Sequence, residues 1–351
     1  MKFVIPGVNV KIFGKAVHAL SKIGEELYLI ADDESLSLKV FSMSMSCYAC
    51  FRLLKSFFSV YETSGEGFKG KLSMRSILLA FRTVNGMEKT VEECLLEVSE
   101  SCDDAVITLK HRKGMTKRFR LPLIEYETLL FSFQTEGYSN EISGQSKLLT
   151  DVLVNFPTSV QEVTLRLSPT KLDVCNHVDD TSDPLKTVNT SVSIESSEFD
   201  EFRAAGDGGE VTFCLREFRA LLGFCEGLCL NATLHFDGAG EPLLASFEGV
   251  PGLESSFVTA TLADGPQSLP ASRSGSVATH RHAVPQRRPG RPDPPEPSES
   301  EPGPSKEPSI AAKKKKAMLL GLTTPDLDHF TSQLPQDDPV LVEASDDEEG
   351  D

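Results

Sequence analysis

Two periods of apolar residues alternate along the first three quarters of the chain. Short apolar–polar alternations, the mark of half-buried antiparallel strands, are broken by stretches where apolar positions recur every three or four residues, as on one face of a helix. Phe3–Val10 predicts a strand and Gly14–Ile23 a short helix, followed by strands Glu26–Ile30 and Ser35–Phe41. Lys69–Ser73 then predicts a strand leading into a helix over Met74–Asn85 and strands Val91–Val98 and Ala105–Lys110. The same plan returns with a helix over Lys147–Phe156 and strands Glu162–Leu167 and Lys171–Cys175. It continues with Val211–Phe213 leading into a helix over Leu215–Gly227, then strands Asn231–Phe236 and Leu243–Phe247, joined through an Asp237-Gly238 hairpin turn. Glu125–Gly144, with Gly137, Asn140 and Gly144 as breakers, reads as a connector. The expected fold is α+β: a tandem duplication of a β-rich unit with two short helices. The units are residues 1–127 and 145–263, with a connector at 128–144.

Periodicity stops near Asp264. Beyond it come Gly265-Pro266 and a run rich in Pro, Ser, Glu and Arg, including Arg287-Arg288-Pro289-Gly290-Arg291-Pro292. Such a segment buries too little apolar surface to offset its chain entropy, so 264–351 is expected to be a disordered tail.

Charge sharpens the picture of the helices. The chain of 351 residues carries a formal net charge of −17 and no Trp, so nonspecific coating by nucleic acid is not expected. Yet the predicted helices are basic. Lys11, Lys15, His18 and Lys22 fall at spacings that share one helical face, with Val17, Leu20 and Ile23 on the other. Lys71, Arg75 and Arg82 form a stripe opposite Ile77, Leu78 and Phe81. Arg216 and Arg219 lie opposite Leu215, Phe218 and Leu222, and the third helix contributes Lys147 beside Asp151. Any one such face is an ordinary solvated surface. Several within an acidic chain point to a surface that meets a polyanion, neutralising phosphates without reading bases. No helix-turn-helix or aromatic stacking platform is visible, so double-stranded DNA would be met without regard to sequence.

Other chemistry is sparse. There are eight cysteines, and Cys47-x-x-Cys50 has no second pair with which to build a four-ligand zinc site. No metal or cofactor is expected. Gly14-Lys15 lacks the rest of a phosphate loop, and no G-x-S-x-G or H-E-x-x-H occurs. The pairs Asp32-Asp33 and Asp103-Asp104 fall in expected hairpin turns, so no catalytic residue is assigned. No apolar run reaches the roughly 18–20 residues of a membrane helix. Met1–Gly7 lacks the pattern of a signal peptide, so a soluble intracellular protein is expected.

This combination resembles the sliding-clamp superfamily, whose subunits have two PCNA-like domains with antiparallel sheets outside and short basic helices inside, around DNA. Val10–Ser21 and Tyr48-Ala49-Cys50-Phe51 resemble the Rad-nine subunit family of the 9-1-1 checkpoint clamp. So do Thr212–Leu222, His235-Phe236-Asp237 and Phe257–Leu262. The resemblance implies a heterotrimeric ring with Rad-one and Hus-one clamp subunits, and loading at damaged or stalled DNA by an ATP-driven clamp loader. It also implies signalling to the checkpoint kinase ATR through a BRCT-domain mediator bound to the phosphorylated tail. A homo-oligomeric processivity clamp and a 3′→5′ DNA exonuclease are the competing readings.

The tail fits the resemblance. Lys313, Lys314, Lys315 and Lys316 read as a nuclear import signal. Ser345 precedes Asp346-Asp347-Glu348-Glu349 and suits an acid-directed kinase; a phosphate there would offer acceptor oxygens to a basic BRCT pocket. Ser332-Gln333 suits an ATR-type kinase and Thr324-Pro325 a proline-directed one. Met318–Leu322 is a short apolar island with the character of a docking motif for the loader.

Overall fold

The computed structural model describes residues 1–65, 67–98, 103–127, 133, 136–177 and 188–263. The tail sites Lys313–Lys316, Thr324, Ser332 and Ser345 lie outside them. The first unit runs β1 (Lys2–Pro6), α1 (Gly7–Leu20), β2 (Glu26–Ala31), β3 (Ser35–Phe41), β4 (Cys47–Leu54), β5 (Val60–Glu62), β6 (Phe68–Ser73), α2 (Met74–Ala80), α3 (Met87–Thr90), β7 (Val91–Val98), β8 (Asp104–His111) and β9 (Thr116–Ile124). The second runs β10 (Asn140–Gln145), α4 (Ser146–Leu153), β11 (Glu162–Leu167), β12 (Lys171–Asn176), β13 (Ser191–Glu195), β14 (Glu201–Arg203), β15 (Gly209–Cys214), α5 (Leu215–Glu226), β16 (Asn231–Phe236), β17 (Leu243–Glu248) and β18 (Leu253–Thr259). Apart from α3 the elements correspond one to one, from β1 with β10 to β9 with β18.

Several boundaries differ from those read in the sequence: α2 ends at Ala80 and α4 at Leu153, each a few residues early. The first helix starts at Gly7, not Gly14. Val10, Phe13, Val17 and Leu20 are all buried at helical spacing, a period masked by the apolar β1 that precedes it. Gly7 itself is required, because a Cβ there would lie 2.6 Å from the Val91 carbonyl oxygen of β7. The second unit opens with a strand, Asn140–Gln145, where a connector was expected. Its Asn and Gly residues break the pattern, but Ile142 is buried and the strand pairs with β16 along its whole length. Lys71 lies in a strand, β6, as read, and so does not share the helical stripe of Arg75 and Arg82 with which spacing groups it.

Strand pairing repeats the duplication. β1 lies between β5 and β7, as β10 lies between β14 and β16. The ladder β6-β2-β3-β4 has its counterpart in β15-β11-β12-β13, and β7-β8-β9 in β16-β17-β18. The units join where β18 pairs antiparallel with β4, from Leu53 opposite Leu253 to Cys47 opposite Thr259. This join makes a 14-stranded sheet continuous across both units. Beneath it Phe51 packs on Phe224 of α5 with ring centroids 4.6 Å apart, so one apolar core spans both units.

The duplication implies a second join that the chain does not fill. The counterpart of β18 on β4 would be β9 on β13. Within the chain β9 pairs with β8 and meets β6 only through Leu123 and Ile124. β13 pairs only with β12 among the described residues. β13 and the Thr116–Pro122 part of β9 therefore each keep one edge unpaired among the described residues, and exposed edges of this kind recruit further strands.

Candidate nucleic-acid-facing surface

All the longer helices gather beside the sheets in the lateral order α2, α1, α5, α4, with α1 against α5 at the join between units. Each is amphipathic, so its apolar side seals the sheet and its polar side faces away. α1 buries Val10, Phe13, Val17 and Leu20, leaving Lys11, Lys15 and His18 half-buried on its outer side. Lys22 stands exposed just past its end.

The basic residues divide by what they touch. Lys22, Arg75 and Arg82 are exposed and have no carboxylate partner among the described residues. Arg216 is also largely outside, although one guanidinium nitrogen donates to Glu217 at 2.9 Å. The other cations are tied. Lys11 pairs with Glu88 at 2.7 Å, and Lys147 donates to both carboxylate oxygens of Asp151 one helical turn on. His18 Nε2 lies 2.7 Å from the Phe81 carbonyl oxygen, which the nitrogen must face as an N–H donor. Arg219 donates to the carbonyls of Leu153 and Phe156, both at 2.9 Å, placing a cation on the unsatisfied C-terminus of α4. Lys15 does the same for α5, donating to the Gly227 carbonyl at 2.6 Å. Burial, with Lys11 nearby, lowers the Lys15 ammonium from its ordinary value.

Lys71 departs from the sequence expectation. It is buried at 5% exposure between Glu26 at 3.3 Å and Glu127 at 3.6 Å, with its ammonium over the Tyr28 ring. Burial alone would lower this ammonium, but the hydrogen bond and charge of Glu26, with Tyr28 and Glu127, hold it above its ordinary value. It cannot meet a polyanion without breaking those pairs. Helical spacing grouped it with Arg75 because the strand runs straight into α2.

Two concavities collect the basic residues. A groove of about 330 Å³ between α1 and α5 is lined by Lys15, His18, Lys22 and Arg82, with Ala220 and Gly223 on its far wall. A second, of about 930 Å³, is lined in part by Lys22, Arg216 and Arg219, so Lys22 belongs to both. Arg75 and Lys147 line neither.

A basic cluster escaped the sequence reading. The β8–β9 hairpin carries Arg112, Lys113, Lys117, Arg118 and Arg120, none paired with a carboxylate among the described residues. It was missed because a strand spreads its charges over two faces instead of along one stripe. The signal that could have found it is the local density of Lys and Arg from His111 to Arg120.

Asp32 and the cysteines have structural places, while Asp104 opens strand β8 instead of lying in a turn. Asp32 accepts from the backbone nitrogens of Glu34 at 2.8 Å and Ser35 at 2.7 Å, an Asx turn. Although burial raises it, these bonds leave its carboxyl below the ordinary value. Cys47 and Cys50 sit three apart on β4 and so point to opposite faces, which prevents them from sharing a metal. Burial raises both thiols, and raises Cys94 to about 12. Among the described residues no group of three or more His, Cys, Asp and Glu is placed to hold a metal ion.

The sequence model of the Rad9 family matches residues 13–262. The chain belongs to the Rad9 family. Among its relatives, the cell cycle checkpoint control protein Rad9 of Drosophila melanogaster is 31% identical over 265 residues, covering 75% of this chain and 57% of that one. The DNA repair protein rad9 of Schizosaccharomyces pombe is 23% identical over 321 residues, covering 80% of this chain and 75% of that one. The match spans 52% of the checkpoint protein hpr-9 of Caenorhabditis elegans, so this Rad9-family chain corresponds to little more than half of two of these relatives. Among solved structures, PCNA from Thermococcus kodakaraensis superposes with a TM-score of 0.62 at 13% identity, over 74% of this chain and 99% of that one. A chain of the PCNA2–PCNA3 complex from Sulfolobus tokodaii does so with a TM-score of 0.60. The fold is PCNA-like. No helix among the described residues is long and apolar enough to cross a membrane.

Proposed function

We propose that this chain is one subunit of a heterotrimeric checkpoint clamp that encircles double-stranded DNA. The observation that carries the reading is the unfilled join. A chain that pairs its own β18 with its own β4 leaves the equivalent edges, β13 and most of β9, unpaired at opposite ends among the described residues. Filling each with a neighbour's edge repeats the internal junction and leads to a closed ring. Apolar residues accompany both edges: Leu79 of α2 is 58% exposed at one end, and Val154 beyond α4 is 77% exposed at the other. In such a ring α2 of one subunit would lie beside α4 of the next, as α1 lies beside α5 within the chain. The helices would line the hole, with Lys22, Arg75, Arg82 and Arg216 meeting phosphates.

The charges of the two edges favour unlike neighbours. β9 presents Lys117, Arg118 and Arg120, whereas β13 offers one acid, Glu195. A ring of identical chains would leave most of those cations uncompensated, and such mismatches act against the wrong partner. The neighbours are taken to be Rad-one and Hus-one subunits, and a clamp loader to open the ring at damaged or stalled DNA.

The ring acts as a scaffold and not as an enzyme. Lys313–Lys316 direct it to the nucleus, and phosphorylated Ser345 holds a BRCT-domain mediator that activates ATR, with Ser332 and Thr324 as further phosphate acceptors. The test is topological. The assembled ring should stay on a closed circular DNA through a high-salt wash and slide off once the circle is cut. Equal loss from circular and linear DNA would refute encirclement. Ser345→Ala should abolish mediator binding, and a phosphate-independent complex would refute that role.

A further inference from the structure

The larger basic cavity contains a feature that phosphate contact alone leaves unused. Its walls include Lys22, Ser44, Ser46, Gln161, Arg216 and Glu217, at the join between the two units. Glu217, in the first turn of α5, is 2% exposed. One carboxylate oxygen accepts from Arg216, and the other, Oε2, is enclosed and accepts from no nitrogen or hydroxyl among the described residues, with only the weakly donating Cys214 thiol beside the carboxylate. Folded proteins leave few buried acceptors unmade. Glu217 lines the cavity, so a small shift of its side chain would let this oxygen accept from a ligand's N–H or O–H group.

The surroundings narrow that ligand. Lys22 is exposed at the rim without a carboxylate partner, and the Arg216 side chain is 74% exposed, so the cavity offers cations for an anion and one buried anion for a donor. The Ser44 and Ser46 hydroxyls, 2.7 Å apart, add polar walls. The cavity shares Lys22 and Ala220 with the groove between α1 and α5, so it opens from the surface that faces the DNA backbone under the clamp reading, on which this inference rests. A nucleotide combines these features: a phosphate and, close to it, a base edge with amino donors. We propose that the cavity holds one unpaired nucleotide of a DNA strand, its phosphate against Lys22 and Arg216 and an exocyclic amino group of its base donating to Glu217 Oε2. Carboxylates accept from the cytosine amino group in this way. Thymine has no such group and presents carbonyl oxygens on either side of its single N–H, so it is disfavoured.

The experiment is an NMR titration of the full chain with dCMP, dTMP, inorganic phosphate and a glutamine-containing peptide. The native chain should bind dCMP about tenfold tighter than dTMP, with resonances of residues lining the cavity shifting. Glu217→Gln keeps the shape but turns an amide N–H₂ towards the base, and should remove that preference. Lys22→Ala, at an exposed position, should weaken both nucleotides while keeping it, and serves if the Glu217 variant does not fold. Equal binding of dCMP and dTMP, binding of phosphate alone, an unchanged preference in Glu217→Gln, or displacement of dCMP by the peptide would each overturn the proposal. The last result would assign the cavity to a peptide. Failure here with retention on circular DNA leaves the clamp reading intact, and nucleotide binding without retention fails the clamp reading alone.

Discussion

The chain contains one junction that is made and, among the described residues, a matching pair of edges that is open, and they differ chemically. The β4–β18 junction is closed by backbone pairing, by Phe51 on Phe224, and by a single exposed ion pair, Arg52 with Glu254 at 3.0 Å. The open edges carry Lys117, Arg118 and Arg120 on β9 but only Glu195 on β13. Eight residues beyond its helix start α1 has Lys15, tied to Gly227; the same place after the start of α4 holds the exposed Val154. The made junction relies on apolar packing and nearly neutral charge. The open ends keep a charge imbalance and exposed apolar residues, which under the clamp reading an unlike neighbour would complement. The duplicated junction is the geometric pattern that the proposed ring would repeat, and the charges at the open edges are what would select its neighbours.

The largest expected effect comes from breaking the made junction. Phe51→Ala should cost about 3–5 kcal/mol of core stability, read by denaturant unfolding. A variant as stable as the parent would mean that the two units do not share a core. Next is the open edge. Reversing Lys117, Arg118 and Arg120 to Glu should abolish capture of one neighbouring subunit in a pull-down and spare the other. Equal loss of both, or of neither, would remove β9 from the interface. Reversing Lys22, Arg75 and Arg82 should leave assembly intact and lower the salt dependence of DNA binding by about 2–3 in the logarithmic slope. Lys71→Ala should instead destabilise the fold and leave that slope unchanged; an altered slope at native stability would return Lys71 to the DNA surface.

The smallest effects test local detail. Removing Arg52, Glu254 or both should give a coupling of under about 1 kcal/mol, since the pair is exposed. Asp32→Ala should cost about 1 kcal/mol by freeing the Glu34 and Ser35 amides. Because the Asp32 carboxyl is depressed in the fold, its contribution is complete above the ordinary carboxylate value and fades as pH falls through the lower, folded one. Acid unfolding of the variant should therefore show a weaker pH dependence there.

Much of this architecture is legible in the residues. Strands with one buried face, such as Glu162–Leu167 and Asn231–Phe236, alternate clearly and end where the sequence places them. α5 is equally clear, because Leu215, Phe218 and Leu222 define one stripe and Gly227 ends it. The failures share a cause: local pattern carries no information on which neighbour a segment meets. The start of α1 is hidden because the apolar β1 runs into it, and β10 reads as a connector because of Asn140 and Gly144, although that glycine is a packing position against Phe199 in the bend before β14. In the candidate site the exposed cations Lys22, Arg75 and Arg82 were found by spacing. That Lys15 and Arg219 cap the neighbouring helices of the same row, and that Lys71 is buried, depends on contacts up to 212 residues away in the sequence. The bare oxygen of Glu217 is likewise invisible until the loop carrying Ser44 and Ser46 is folded against α5.

The central claim is that this chain closes a ring only with unlike neighbours. Analytical ultracentrifugation of the full chain, alone and mixed with the two candidate partner subunits, tests it most directly. The account predicts a monomer alone and a single 1:1:1 assembly on mixing; a closed ring formed by this chain alone would contradict it.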